Sequence, residues 1–184
     1  RTLLGLALAL AISLAARRAH ALSWSGGVAA TVMGVAATAA GWRWCVLLLA
    51  FFLSSTLLSR WRRETKERAT RAVVEKGGAR DAWQVLANGG VFTVCALGSV
   101  ALPSALWATA GLGALAAATA DTWATEVGTA VGGVPRRVLG WRAVATGTSG
   151  AVTVAGTIAM LAGAACLGTL AWWTGLEWQG AFAG

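Results

Sequence analysis

The stretch from Val91 to Ala120 contains no charged side chain in a chain of only 184 residues. A helix rises about 1.5 Å per residue, so this stretch is longer than one crossing of a bilayer core. Pro103-Ser104 provides a place for the chain to turn back. The stretch therefore predicts two consecutive membrane helices.

The composition indicates the same class. Hydrophobic residues make up 57% of the chain and charged residues 12%, whereas a soluble domain carries about twice that charge. This composition excludes a disordered chain, a coiled coil and an ordinary cytosolic enzyme. It predicts an all-α fold, a polytopic transmembrane helix bundle that forms one domain over residues 1–184. The six predicted spans are Thr2–Ala16, Gly26–Ala40, Trp44–Ser59, Ala87–Ser104, Ala105–Gly132 and Gly147–Trp173.

The basic residues predict the topology. Thirteen of the 15 Lys and Arg residues lie in the segments 17–22, 60–86 and 134–146, which the six spans place on one side. The positive-inside rule makes that side cytoplasmic and the N-terminus external. We therefore expect an integral protein of a bacterial inner membrane, with membrane lipids and not nucleic acid as the partner of its basic segments. Segment 60–86 is predicted to be a cytoplasmic loop or an interfacial helix on anionic lipid.

One predicted span carries a dense polar cluster. On a helix, Asp121, Thr122, Thr125 and Glu126 fall within an arc of about 140°, and carboxylates in a membrane helix are costly unless they are paired or used. Carboxylate and hydroxyl oxygens suit Mg²⁺, with phosphate oxygens completing the shell. We predict that Asp121 and Glu126 bind Mg²⁺ near the cytoplasmic interface. An interhelical salt bridge to Arg80 or Arg136 is the structural alternative.

Further polar residues are candidates for binding a phosphorylated ligand. Arg80, Gln84 and Asn88 recur every four residues and are predicted to share a helix face, where Arg80 clamps phosphate. Contacts between helices are the alternative use of such side chains. Lys66, Lys76 and Arg136 are cations that would attract a polyphosphate.

Two small-residue segments complete the candidate set. Gly147-Thr148-Ser149-Gly150 lies just before the last apolar run. Backbone N–H groups at the start of a helix there would bind phosphate. A plain helix cap has the same sequence pattern. Ser54 and Ser55 lie near the inner end of the third span. Their hydroxyls either contact a substrate or bond to their own backbone. The chain contains no P-loop motif.

In series, these segments resemble the membrane family called domain of unknown function 92, which includes transmembrane protein 19 and plant phytyl-phosphate kinase. The resemblance covers most of the chain after Trp24. It rests on Ser54-Ser55, on K-G-G-x-R-D-A-x-Q-V-L-A-N-G at 76–89, on A-D-T-x-A-[ST]-E-x-G at 120–128 and on G-T-S-G-A-V-[ST]-x-x-G at 147–156. Relatives often have Ser where this chain has Thr125 and Thr153. They also continue with a D-S-x-x-G-A segment and a further helix, which we expect this chain to lack.

The resemblance implies a kinase that converts an isoprenyl monophosphate to the diphosphate with a nucleoside triphosphate, CTP being favoured, and Mg²⁺. It implies catalytic roles for Asp121, Glu126 and Asn88, phosphate or nucleotide binding by the basic residues, Gln84 and the glycine-rich segment, and substrate contacts by Ser54, Ser55, Thr122 and Thr125. A CTP-dependent lipid cytidylyltransferase and a noncatalytic transporter or scaffold remain alternatives. A homo-oligomer is also compatible with the sequence.

Overall fold

The computed structural model describes residues 2–70, 78–102 and 104–176. Within them the chain forms seven α-helices and one short antiparallel strand pair between the last two helices. The helices are α1 (Thr2–Arg18), α2 (Trp24–Ala40), α3 (Trp42–Arg60), α4 (Arg63–Thr70), α5 (Ala82–Ala101), α6 (Ala105–Val131) and α7 (Val154–Thr174), and the strands are β1 (Arg136–Arg137) and β2 (Ala151–Val152).

The predicted all-α membrane bundle is confirmed. Each of the six predicted spans corresponds to a helix, namely α1, α2, α3, α5, α6 and α7. Within the described part of the chain, α3, α5 and α7 are long and apolar enough to cross a membrane, and α2 is apolar but shorter. The short helix α4 lies in the predicted basic segment.

Two of the predicted span starts are wrong, for local reasons. The fourth span begins at Ala82 rather than at Ala87, because Asp81 and Gln84 form a reciprocal capping box at the start of α5. The last span begins at Val154 rather than at Gly147. Gly147 and Gly150 have φ angles of 93° and 74°, a turn conformation that glycine adopts at little cost, and β2 follows them before Thr153 caps α7.

The helix ends form two distinct faces of the bundle. At one face, which we call the charged end, α1, α3 and α6 end and α2, α5 and α7 begin. The short helix α4 also lies at this end, where it packs against α6. At the opposite end, Arg43 Nη1 donates a hydrogen bond of 2.8 Å to the carbonyl oxygen of Gly175, just after α7. The half of the bundle nearer that end is filled by Trp44, Leu47, Phe92 and Leu115, all at most 1% exposed.

Glycines allow a close approach of α6 and α7. A Cβ atom at Gly128 would lie 2.8 Å from Thr153 Oγ1, and one at Gly156 would lie 2.8 Å from the carbonyl oxygen of Ala124. Both distances are too short for a side chain. Small residues of this kind permit close packing of membrane helices, so these glycines of the two motifs place the end of α6 against the start of α7.

Candidate functional site

A compact polar group lies at the charged end and consists of Ser59, Lys66, Arg80 and Glu126. Lys66 of α4 forms an ion pair with Glu126 of α6. The Ser59 hydroxyl donates a hydrogen bond of 2.5 Å to Glu126 Oε1 and accepts one of 2.9 Å from Arg80 Nη2. We call these four residues the polar cluster. It joins the ends of α3, α4 and α6 to the segment before α5.

Lys66 is fully engaged by the protein itself. Besides Glu126, its Nζ donates to the carbonyl oxygens of Leu58 at 2.7 Å and Ser59 at 2.9 Å. An ammonium group has three N–H donors, and all three have acceptors in this arrangement. The side chain is 10% exposed. Lys66 therefore fastens α4 to the bundle and, in this arrangement, presents no free donor to a phosphate.

Arg80 keeps donors to spare. Among the described residues its guanidinium bonds only through Nη2, to Ser59 Oγ and to the carbonyl oxygen of Ser55 at 3.3 Å. Its backbone is fixed to the α1–α2 turn, since Arg80 N donates to the Ala21 carbonyl and Arg80 O accepts from Ser23 N. Burial lowers the pKa of Arg80 from its ordinary value, and the charge of Glu126 acts against that shift. A bound anion would likewise offset the cost of this burial.

Arg80 also lines a partly open cavity between α1, α2, α3 and α5, whose empty space of about 680 Å³ includes open solvent. The cavity is otherwise mostly apolar. Asn88 of α5 reaches it as well, whereas Gln84 is exposed and bonds to the backbone N–H of Asp81. The predicted shared helix face is thus wrong in detail, because Arg80 precedes α5 and Gln84 caps it. Arg80 and Asn88 nevertheless meet at one cavity.

The two predicted metal ligands, Asp121 and Glu126, differ in burial and in their bonding partners. Glu126 is half-buried in the polar cluster, whereas Asp121 is exposed and has no hydrogen-bond or ion-pair partner among the described residues. Five residues separate them, which is about 7.5 Å along a helix. Thr125 is exposed and Thr122 half-buried on the same stretch. Among residues 2–70, 78–102 and 104–176, no three His, Cys, Asp or Glu side chains form a group that could hold a metal ion.

The adjacent serines of α3 differ in their bonding. Ser54 Oγ donates to the Phe51 carbonyl and accepts a hydrogen bond of 3.3 Å from Trp123 Nε1 of α6. Ser55 is fully buried and its hydroxyl has no hydrogen-bond partner among the described residues. Ser54 thus connects α3 to α6, whereas the Ser55 hydroxyl makes no bond within the described residues.

The remaining predicted phosphate-binding residues lie apart from the polar cluster or outside the described residues. Arg136 is exposed on β1 and donates to the Trp141 carbonyl. The segment 147–150 forms a turn before β2, in which the Thr148 hydroxyl donates to the Ala145 carbonyl at 2.7 Å. Lys76 lies outside the described residues. Phosphate binding by these residues stays a prediction.

Sequence reasoning did not single out Ser59 or Gly26. Ser59 follows Ser55 by one helical turn, and that spacing places both serines on the face of α3 that meets Arg80. A Cβ atom at Gly26 would overlap the carbonyl oxygen of Arg80. No pattern within α2 signals that requirement, because the neighbour of Gly26 is more than fifty residues away.

The comparisons with known proteins agree with this architecture. The family model described as "Integral membrane protein DUF92" matches residues 7–184. The chain is 32% identical over 163 residues to Protein PGR of Arabidopsis thaliana, which covers 80% of this chain and 56% of that protein. It is 31% identical over 159 residues to an uncharacterized membrane protein of Methanocaldococcus jannaschii, which covers 85% of this chain and 64% of the relative.

A membrane protein of Synechocystis, also described as uncharacterized, is 34% identical over 153 residues and covers 80% of this chain and 58% of its own length. The chain thus spans between 56% and 64% of the length of these three relatives. No solved structure matches the chain.

Proposed function

The chain belongs to the DUF92 family of integral membrane proteins, and from that premise we propose that it is a kinase acting on an isoprenyl monophosphate. The donor is a nucleoside triphosphate, CTP by preference, and the product is the lipid diphosphate. The reaction takes place at the charged end, which we assign to the cytoplasmic face of a bacterial inner membrane.

One observation carries this proposal: Arg80 belongs to the polar cluster and also lines the mostly apolar cavity. A lipid phosphate needs both environments, since its head is anionic and its tail is insoluble in water. Guanidinium groups bind phosphate oxygens through paired N–H donors, and Arg80 has donors left after its bonds to Ser59 and Ser55. The position of Arg80 therefore suits the head group of a lipid whose tail stays in the membrane.

Phosphoryl transfer requires mainly alignment and charge neutralisation. An oxygen of the lipid phosphate attacks the terminal phosphorus of the nucleotide, a new P–O bond forms, and the nucleoside diphosphate leaves with the electrons of the broken P–O bond. In this scheme Arg80 holds the attacking phosphate. Glu126 keeps Arg80 oriented through Ser59, and Asn88 offers an amide at the cavity wall.

The acidic residues of α6 fit the chemistry of Mg²⁺ in part. Mg²⁺ is commonly held by one or two carboxylates together with substrate phosphates and water. Asp121 has an uncommitted carboxylate and would provide such a ligand, with Thr122 and Thr125 nearby in sequence. When bound, the ion would neutralise charge on the transferred phosphate. Glu126, already paired with Lys66, is assigned to orientation rather than to the metal.

The experiment that tests the activity is incubation of the purified protein in lipid nanodiscs with phytyl or geranylgeranyl monophosphate, Mg²⁺ and each nucleoside triphosphate in turn. Mass spectrometry follows the lipid and the nucleotide. We expect a lipid diphosphate and a nucleoside diphosphate. Release of pyrophosphate with a CDP-lipid would instead identify a cytidylyltransferase, and an unchanged lipid with every donor would overturn the proposal.

A further inference from the structure

The cavity is charged at its Arg80 end, which we call its mouth, and mostly apolar elsewhere. Ile12, Ala30, Leu49 and Phe52 are among the residues of its walls, and they come from α1, α2 and α3. The Ser13 hydroxyl, which also lines it, is bonded to Thr31 Oγ1 at 2.9 Å. Among the described lining residues, the side-chain donors without partners are the spare ones of Arg80 and the amide of Asn88. This distribution matches a ligand with a single anionic head and a hydrocarbon tail.

The lining residues farthest from Arg80 along α1, α2 and α3 are Ala9, Gly34 and Leu48. The mouth lies at the level of Gly26, because the Arg80 carbonyl contacts that residue. Gly34, which also lines the cavity, lies eight residues further along α2, about 12 Å from Gly26 along the helix axis. Beyond that point α1 and α2 touch, because Gly5 lies directly against Thr38. The depth available to a tail is therefore limited.

The side wall of the cavity faces the membrane between α1 and α3. α1 packs against α2 and makes no extensive contact with α3. Ile12, Leu49 and Phe52, which form this wall, are only half-buried. A lipid tail can thus enter from the bilayer without passing through water.

We infer that this cavity binds the tail of a single-chain isoprenoid phosphate and that Ala30, Gly34 and Ala9 determine how much of the tail is held. The inference rests on the proposed function in taking a lipid monophosphate as the ligand. The single guanidinium at the mouth suits one phosphate, and the mostly apolar lining suits a hydrocarbon chain. The first isoprene units of the tail lie between Arg80 and Gly34, and a longer tail leaves through the side wall.

The test measures binding without any turnover. Native mass spectrometry of the intact protein, without nucleotide or Mg²⁺, compares dimethylallyl, geranyl, farnesyl and geranylgeranyl monophosphate. Ala30→Phe narrows the cavity about 6 Å from Gly26 along α2, and Leu49→Trp narrows it from the α3 wall. Val32→Phe is the matched control, because Val32 lies on the same helix as Ala30 but is 61% exposed and outside the cavity lining.

We expect both cavity variants to bind geranylgeranyl monophosphate at least about tenfold more weakly, since each methylene group kept from the cavity removes part of the burial energy. Binding of dimethylallyl monophosphate should stay within about twofold, and Val32→Phe should match the wild type at every length. Equal losses at all lengths, or none, would overturn the inference. So would displacement of the isoprenoid by two-chain phosphatidic acid at equal concentration.

The two proposals fail in distinguishable ways. Length-dependent binding without diphosphate formation would refute the kinase and keep the tail site. Diphosphate formation by the wild type, combined with an unaltered length preference in both cavity variants, would refute the tail site and keep the kinase. A thermal melt of each variant confirms that it is folded before binding is compared.

Discussion

Arg80 is the residue whose role is easiest to separate from folding, because its backbone and its side chain have different tasks. The backbone is paired with Ala21 and Ser23, and these bonds do not involve the side chain. The guanidinium contributes bonds to Ser59 and Ser55 and has further donors unused within the described residues. Replacing the side chain therefore acts first on the ligand.

We predict that Arg80→Ala raises the KM for the lipid monophosphate at least about tenfold, since charge-assisted hydrogen bonds contribute about 1.5–3 kcal/mol. Steady-state kinetics and thermal unfolding in the same detergent measure the two effects. Arg68→Ala is the control, because that side chain is 75% exposed at the same end of the molecule. An unchanged KM together with a lower melting temperature would show that Arg80 is a structural residue.

Asp121 and Glu126 provide a second comparison at this scale. Asp121→Asn should lower the rate at least about a hundredfold, because metal neutralisation of phosphate charge is central to the reaction. Its stability should be unchanged or higher, since no described residue pairs with this carboxylate. Glu126→Gln should instead lower the melting temperature, because it leaves Lys66 with a missing counter-charge. Near-normal turnover by folded Asp121→Asn protein would contradict the metal assignment.

Among the elements, the crossing of α6 and α7 depends on backbone contact rather than on large side chains. Gly156 sits against the Ala124 carbonyl, and Gly128 sits against Thr153. Thr153 also caps α7 by accepting a hydrogen bond of 3.0 Å from Gly156 N. The same few atoms thus define where α7 begins and how closely it approaches α6.

We predict that Gly156→Ala destabilises the protein by about 1–3 kcal/mol, the usual cost of overpacking. Gly168→Ala is the matched control on the same helix, because a Cβ atom there has nothing within 4 Å. That change should be neutral or stabilising, since Ala favours helix over Gly by up to about 1 kcal/mol. Equal melting temperatures for the two variants would show that the crossing is looser than described.

The positions of the helices were predictable because their apolar stretches are long. Two of the helix starts, and the side-chain contacts between helices, were not predictable. The start of α5 depends on the pairing of Asp81 with Gln84, whereas the four-residue spacing predicts a ligand-binding role for Gln84. The acidic and basic candidates were identified individually. Their partners were not, because the contacts of Glu126 with Ser59 and Lys66 join residues more than fifty positions apart.

For the whole molecule, the two ends of the bundle make the topology testable. Thr65 is exposed on α4 at the charged end, and Ala105 is exposed at the start of α6 at the opposite end. We predict that an impermeant maleimide labels Ala105→Cys but not Thr65→Cys in intact bacterial cells, after Cys45, Cys95 and Cys166 are replaced by Ala. The reverse pattern would place the charged end outside, away from cytosolic nucleotides, and would contradict the kinase.

The packing of α2 has a consequence for the way the protein is made. α2 contacts α5 more extensively than it contacts its neighbour in sequence, α3, and its glycine-bearing first turn fits against the carbonyl of Arg80. During synthesis, α2 and α3 must leave the ribosome and enter the bilayer before that partner exists. The hairpin of α2 and α3 is therefore exposed to lipid on the face of α2 that later contacts α5. Insertion of α5 covers that face. Translation that stalls between α3 and α5 would release an intermediate suited to capture by membrane quality control.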